Sequence, residues 1–515
     1  MEIFMAQFKE NLAIIAIDQG TTSTRVIAYA AHDFTPLFSS QLEFTQYFPL
    51  AGQVEHDLAE IWLKTKTCFE QVSVRLMEKK IKISCLGITN QRETIGFWDK
   101  KTGTPIRRAL VWQDRRTTDF CKENFQYFQN KFQMKTGLSL DPYFSGSKIR
   151  WVLENDENVK RFIHQFPDQL AIGTIDTYLL FQLTGGEVFA TDATNASRTQ
   201  LLNLKENKWN RELCTFFKVD PSWLPEIKDS LGNFGVTKKI STMIDDSLPI
   251  TCMIGDQQAS LFAQGCTQEG ELKCTYGTGA FLLSHTGTTP KLSSHGLLTT
   301  IALQHKGNRF FAFEGSSFIA GAAVQWLRDG LQIINKSSEV EALALKANLS
   351  NIDTKSLMSS LYFLPFFTGI GAPRWISEAK GTIWGIERGT TVEQIARACL
   401  EGIGLAIDDL VQAMEKDLGR IISEIKVDGG ATQNYLLMEI QSSLSQKPII
   451  IPKNIESTAL GAAAGAWIAF NDLPLTEVKK INPPAKIVHA VSDEGMKNYY
   501  NEKRKGWKIL LDRLY

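Results

Sequence analysis

A long-period echo constrains this chain more than any single motif. Ile14–Ala30 reads IIAIDQGTTSTRVIAYA, and Leu272–His285 reads LKCTYGTGAFLLSH. Each is a β-rich run, a Gly/Thr turn and a second β-rich run, which is the pattern of a hairpin. The turn glycines, Gly20 and Gly277, stand 257 residues apart in a chain of 515, so each half opens on the same kind of hairpin. A single hydrophobic core stops growing at roughly 250–300 residues, which independently requires two domains. The expectation is two like domains, 1–265 and 266–515, with a boundary near 262–268. Further strands at Ile83–Thr89, Pro249–Ile254 and Ile422–Val427 end in polar clusters. A helical face follows the last one, at Leu436, Leu437, Ile440 and Leu444. Strands alternate with helices, so the class is α/β with mixed sheets, and ligands are expected beyond the carboxyl ends of the strands.

Charge and composition exclude several functions. Lys+Arg and Asp+Glu both number 56, and this balance argues against a chain built to grip nucleic acid or an anionic membrane. The apolar run Ala13–Ile17 stops at Asp18, and Leu460–Phe470 is about half of the ~20 residues a spanning helix needs, so no integral membrane segment is expected. Glu2 and Glu10 flank a weakly apolar start, unlike a signal peptide. A soluble, cytoplasmic protein is the expectation, with no role assigned to Met1–Lys9. The eight cysteines form no Cys-x-x-Cys and mostly sit in apolar runs, which reads as buried free thiols. The histidines are isolated, so a structural zinc site is not expected. Gly-Lys is absent, which removes the Walker A loop; Gly-x-Gly-x-x-Gly, His-Arg-Asp, Asp-Phe-Gly and Gly-x-Ser-x-Gly are absent too.

What remains points at phosphate. In the first turn, Gly20 lets successive N–H groups converge on an anion, and Thr21, Thr22 and Ser23 add hydroxyl donors. Arg25 adds a charged fork, and Asp18 can hold a metal ion or its water shell. A Thr-rich β-turn with a capping Asp is the competing reading. The second turn, Gly277-Thr278-Gly279, would by itself be a plain hairpin; paired with the first, it suggests a nucleotide clamped between two domains. Asp428-Gly429-Gly430-Ala431, with Asn434, is a strand-to-helix turn that allows a ligand to approach a helix N-terminus, although packing explains such glycines equally well. Gly315–Gln325 reads mostly as helix packing, with Gly321 and Gln325 as candidate nucleotide contacts.

These turns resemble the ATP site of the actin, hexokinase and heat-shock-chaperone ATPase superfamily, whose domains share a ribonuclease H-like core. Within it the chain looks like a carbohydrate kinase of the FGGY family, and its motifs look most like those of the glycerol-phosphorylating members. The matching segments are IDQGTTSTR (17–25), NQRET (90–94), VWQDRRT (111–117), PYFSGSK (142–148) and TDATNASRT (191–199). GDQQASLF (255–262), YGTGAFLL (276–283), FTGIGAPRW (367–375), VDGGATQN (427–434) and TALGAAAGA (458–466) continue the order. The resemblance implies two ribonuclease H-like domains around a cleft, ATP and Mg²⁺, and transfer to glycerol giving sn-glycerol 3-phosphate. It also implies a homodimer or homotetramer. The rival within the family is a kinase for a pentulose or another sugar; the rival outside it is a non-metabolic ATPase switch.

The substrate pocket can be read beside that resemblance. Arg92 and Glu93, an adjacent donor and acceptor at a strand end, suit two neighbouring hydroxyls; a surface ion pair is the plainer reading, and the resemblance decides for glycerol. Trp112 and Phe281 would line the carbon side of the polyol, although either alone is more often core. Tyr143 would supply a third hydroxyl contact. Asp256, just past an apolar run, is the candidate base, with Gln257 on a neighbouring hydroxyl; the competing role for Asp256 is to cap the helix Gln257–Gln264. Val236–Leu248 lacks the Gly-Gly-x-Arg loop that binds a sugar bisphosphate in some relatives. No histidine between His164 and His285 can serve as a phosphorylation switch, and the Pro-Gly-Ile-Glu tail of one phosphocarrier partner is missing. Lys497, Lys503, Arg504 and Lys505 read as a solvated helix face.

Overall fold

The computed structural model describes residues 11–238, 240, 247–348, 360–376 and 378–515. Met1–Lys9 and part of Val236–Leu248 lie outside the described residues, so the readings placed on them rest on sequence alone.

The first half opens with β1 (Leu12–Gln19), β2 (Ser23–Ala30) and β3 (Pro36–Glu43), followed by helix α1 (Leu58–Glu78) and strand β4 (Lys82–Asn90). After a long insertion come β5 (Ile250–Gly255) and α2 (Asp256–Ala263). The second half repeats the plan with β6 (Leu272–Tyr276), β7 (Ala280–Gly287), β8 (Leu298–His305), β9 (Asn308–Ser317) and α3 (Gly321–Asp329). It continues with α4 (Val392–Leu418), β10 (Ile425–Asp428), α5 (Tyr435–Ser445), β11 (Ile449–Pro452), α6 (Ser457–Phe470), β12 (Pro484–Val488) and α7 (Glu494–Leu514).

The two central sheets share one order. The first runs β3-β2-β1-β4-β5, and the second contains β9-β7-β6-β10-β11 with β8 and β12 added at the edges. In each, the opening hairpin is antiparallel and the next strands are parallel to its first member. The hairpin echo in the sequence is thus an echo of whole sheets. Strand β1 is apolar on both faces because both are covered. Ile15 and Ile17 pack with Leu58 and Ile61 of α1, whereas Ile14 and Ala16 pack with Leu460 and Ala463 of α6. All eight cysteines are free and buried, as their apolar contexts predict.

Helix α6 comes from the second half yet packs on the sheet of the first. Its small residues permit this. A Cβ on Gly461 would lie 2.0 Å from the Ala259 carbonyl oxygen, and one on Gly87 would lie 2.2 Å from that of Ala462. In return, α2 reaches the second sheet, where Ser260 Oγ donates to Asp428 (2.6 Å) and Gln264 Nε2 to the Val427 carbonyl (3.1 Å). The inserted segment of the first half supplies Ile95–Asp99, Ala109–Leu110 and Leu170–Thr174 to a further five-stranded sheet, which two short strands ahead of α1, Gln46–Tyr47 and Glu55–His56, complete.

Three local readings need correction. Gly315 lies within β9, and helix begins only at Gly321, because Phe310–Phe313 pair in register with the neighbouring strands. The strand expected at Ile422–Val427 starts at Ile425. Lys503 is buried on α7, where its Nζ donates to the Leu361 carbonyl (2.6 Å) and faces Glu401 (3.4 Å). Arg504 pairs with Asp408 (2.8 Å). Such charges on a helix ordinarily mark a solvated face, whereas here a buried carboxylate on α4, Glu401 or Asp408, claims each cation.

Candidate active site

The strand ends of both sheets converge on one cleft. In the β1–β2 turn, the Gly20 N–H donates to the Ser23 carbonyl (2.9 Å), and Gln91 Nε2 ties the turn to the segment after β4 by donating to the Gly20 carbonyl (3.0 Å). Trp112 Nε1 donates to the Thr21 hydroxyl (3.0 Å), Gln41 Nε2 donates to Ser23 Oγ (2.9 Å), and Thr22 is exposed. Arg25 is not a free fork: its Nη1 pairs with Glu456 (2.7 Å) and its Nε donates to Gln41 (2.9 Å).

The second turn is stitched to the start of α3. The Gly321 N–H donates to the Gly277 carbonyl (3.0 Å) and the Ala320 N–H to that of Thr278 (2.8 Å), leaving Thr278 and Gln325 exposed. A Cβ on Gly429 would lie 2.4 Å from the Tyr276 carbonyl oxygen, and the Gly429 N–H donates to Ile455 (3.1 Å), next to the Glu456 that holds Arg25. The Gly429-Gly430 turn therefore joins both Gly/Thr turns on one side of the molecule. Gly430 is exposed there, while Asn434 Oδ1 caps α5 by accepting from the Leu437 N–H (2.9 Å).

The expected polyol residues meet at the floor of the cleft. Arg92 Nε faces Asp256 at 3.0 Å, and its Nη2 lies 3.4 Å from the Tyr143 hydroxyl. The Trp112 ring meets Tyr143 edge-on at 5.7 Å and Phe281 at 6.5 Å. Asp256 opens α2 as its first residue, with Gly255 in the cap position, so the carboxylate stays on the cleft side. Its side chain is 30 % exposed, whereas Arg92 is 2 % exposed. Glu93 sits at φ 60°, a left-handed conformation that a side chain rarely adopts and that marks a constrained turn.

Sequence reasoning missed three buried charges. Glu314 on β9 accepts both Nη atoms of Arg92 (2.6 and 3.0 Å) and Nη2 of Arg198 (2.9 Å); Arg198 Nε in turn donates to Glu93 (2.5 Å). Lys273 on β6 donates from Nζ to Gln257 Oε1 (2.5 Å) and to Thr275 (2.7 Å). For Glu314 and Lys273 the available signal was a lone charge within a mostly apolar strand, Phe310–Glu314 and Leu272–Tyr276; Arg198, just past a short helix, carries no such signal.

Burial and charge oppose each other here. Burial would raise the Glu314 carboxyl, but the guanidinium groups of Arg198 and Arg92 outweigh it and hold the group below its ordinary value. For Glu93 burial wins and the carboxyl is raised. Burial also depresses the Lys273 ammonium. Asp18, on the cleft wall, is pushed up to about 7, chiefly by desolvation, with Asp256 and Glu456 adding to the shift against the pull of Arg25. Among the described residues no cluster of three or more acidic, histidine or cysteine side chains could hold a metal alone. Asp18 and Asp256, which repel one another, instead fit a cation carried largely on phosphate oxygens and water.

Known proteins share this organisation. The N-terminal domain of the FGGY family of carbohydrate kinases matches residues 13–263, and its C-terminal domain matches residues 272–470. The chain is 42% identical over 504 residues to a glycerol kinase of Mycoplasma capricolum, covering 98% of this chain and 97% of that one. It is 46% identical over 453 residues to a glycerol kinase of Alkalilimnicola ehrlichii, covering 88% and 89%. In structure it superposes on Plasmodium falciparum glycerol kinase with ADP at a TM-score of 0.87 and 34% identity, covering 98% of both chains. Two matched domains, a repeated sheet and a cleft lined from both halves lead to one conclusion: the chain belongs to the FGGY family of carbohydrate kinases.

Proposed function

We propose that this chain transfers the γ-phosphoryl group of ATP to a terminal hydroxyl of glycerol, giving sn-glycerol 3-phosphate and ADP. The observation that carries the reading is the partly open Asp256 carboxylate, held at 3.0 Å by a buried Arg92, on the cleft side of α2. Glycerol kinases of the relatives' identity and coverage support the substrate, and an ADP-bound structural neighbour supports the nucleotide.

In this reading Arg92 and Tyr143 donate to polyol oxygens, Glu93 accepts a hydroxyl, Gln257 fixes a neighbouring one, and Trp112 and Phe281 shield the carbons. Asp256 accepts the proton of the attacking hydroxyl. Phosphoryl transfer has a loose transition state, so this proton leaves late and much of the catalysis is orientation. The turn around Thr21, Thr22 and Ser23 and the turn at Thr278 would face the phosphates, and Gly321, Gln325, Gly430 and Asn434 the nucleoside. Bound with ATP, Mg²⁺ would neutralise charge on the β- and γ-phosphates, with Asp18 and Asp256 as the residues that hold it or its water. A cytoplasmic location and self-association as dimer or tetramer belong to the same reading; among the described residues no helix is long and apolar enough to cross a membrane.

A coupled ADP-release assay across glycerol, xylulose, ribulose and no added polyol tests the proposal. Turnover should be highest on glycerol. A pentulose far above glycerol would reassign the substrate, and ATP hydrolysis indifferent to any polyol would remove the kinase reading.

A further inference from the structure

Glu314 is the least solvated carboxylate of the cleft, with no side-chain exposure, and among the described residues both of its salt-bridge partners come from the other half of the chain. It lies on β9 of the second sheet, whereas Arg92 follows β4 and Arg198 sits in the insertion of the first half. One carboxylate thereby holds two guanidinium groups: a fork on Arg92 through both Nη atoms, and a single bond to Arg198 Nη2. Each arginine then reaches a residue of the polyol floor. Arg92 presents Nε to Asp256, and Arg198 presents Nε to Glu93. The Arg198 guanidinium also lies over the Tyr143 and Phe144 rings at 5.5 and 5.1 Å, which fixes the wall behind it.

From this juxtaposition we propose that Glu314 is the positioning residue of the polyol site, a carboxylate from the second half that sets the orientation of Arg92, and through Arg198 that of Glu93, without touching the substrate. The reason is geometric. A guanidinium offers a planar fork, and a carboxylate gripping both Nη atoms leaves only the Nε edge for Asp256. Without that grip the fork is free to close on Asp256 instead, competing with the substrate hydroxyl for the base, and Arg198 keeps Glu93 as its one carboxylate partner. Polyol binding is then disturbed twice, while the nucleotide turns, which share no hydrogen bond with Glu314, are left alone. Neither partner of this grip could be replaced by its neighbours: Gln258 Oε1 already lies 3.2 Å from Arg92 Nη1 but carries no charge.

This inference rests on the glycerol reading above. Its test is steady-state kinetics of Glu314→Gln and Glu314→Asp beside the unaltered chain, with glycerol and ATP varied separately. Glu314→Gln should raise the glycerol KM by about tenfold or more and leave the ATP KM within about threefold. Glu314→Asp, which keeps the charge on a shorter arm, should recover part of the glycerol KM. If Glu314→Gln fails to fold, the same split is read from Glu314→Asp alone. An unchanged glycerol KM, or parallel rises in both KM values, overturns the positioning role while the substrate reading stands. No glycerol turnover by the unaltered chain overturns both.

Discussion

Asp256 illustrates how one side chain's role follows from where the helix begins. At the first position of α2 the carboxylate is part-exposed, and Arg92 holds it in place at 3.0 Å. Replacing it with asparagine keeps the shape and removes the carboxylate proposed as proton acceptor. Asp256→Asn should lower kcat by about 10³-fold while nucleotide binding, followed by fluorescence or calorimetry, persists. A near-normal rate would exclude Asp256 as the base. Asp18 makes a pH-dependent prediction. Its carboxyl is raised from 3.8 to about 7 by desolvation, so the native chain keeps a proton that the unfolded chain has released. Stability from this group therefore falls as pH rises from about 4 to about 7 and is flat above. In the ligand-free protein, Asp18→Asn should raise Tm more at about pH 8 than at about pH 5. An equal gain at both would show that desolvation does not set this carboxyl.

At the scale of elements, α6 is the most demanding contact. A helix with Gly461 seated on the Ala259 carbonyl cannot accept a methyl group at 2.0 Å without separating from α2. Gly461→Ala should cost about 3 kcal/mol and lower Tm by about 3 °C in a thermal melt, because the obstacle is backbone rather than a flexible side-chain end. An unchanged Tm would mean that α6 slides freely. The sequence already displayed this helix as a run of small residues, and small residues imply a close neighbour. It did not say which neighbour, since α6 lies near the end of the chain and packs on the sheet that begins it.

The whole molecule is two copies of one sheet plan, locked by bonds that ignore the boundary between them. Arg25 reaches Glu456 across 431 residues of sequence, and Arg92 reaches Glu314 across 222. The proposed transfer would need such a frame, because the two Gly/Thr turns that would face the phosphates come from different halves and water must be kept from between them. The two hairpins, the strand-end polar clusters, the free thiols and the repeated plan were all legible from residues in order. Each depends on contacts within a few positions or on side-chain alternation, and local physics decides these. Nothing local could say that Arg25 would be paired rather than free, that Lys503 would be buried against Glu401, or that Glu314 would bind two arginines. A charge inside an apolar strand announces that a partner exists, since an unpaired charge is too costly to bury. Which residue that partner is depends on how the two sheets pack, and only the folded chain decides it.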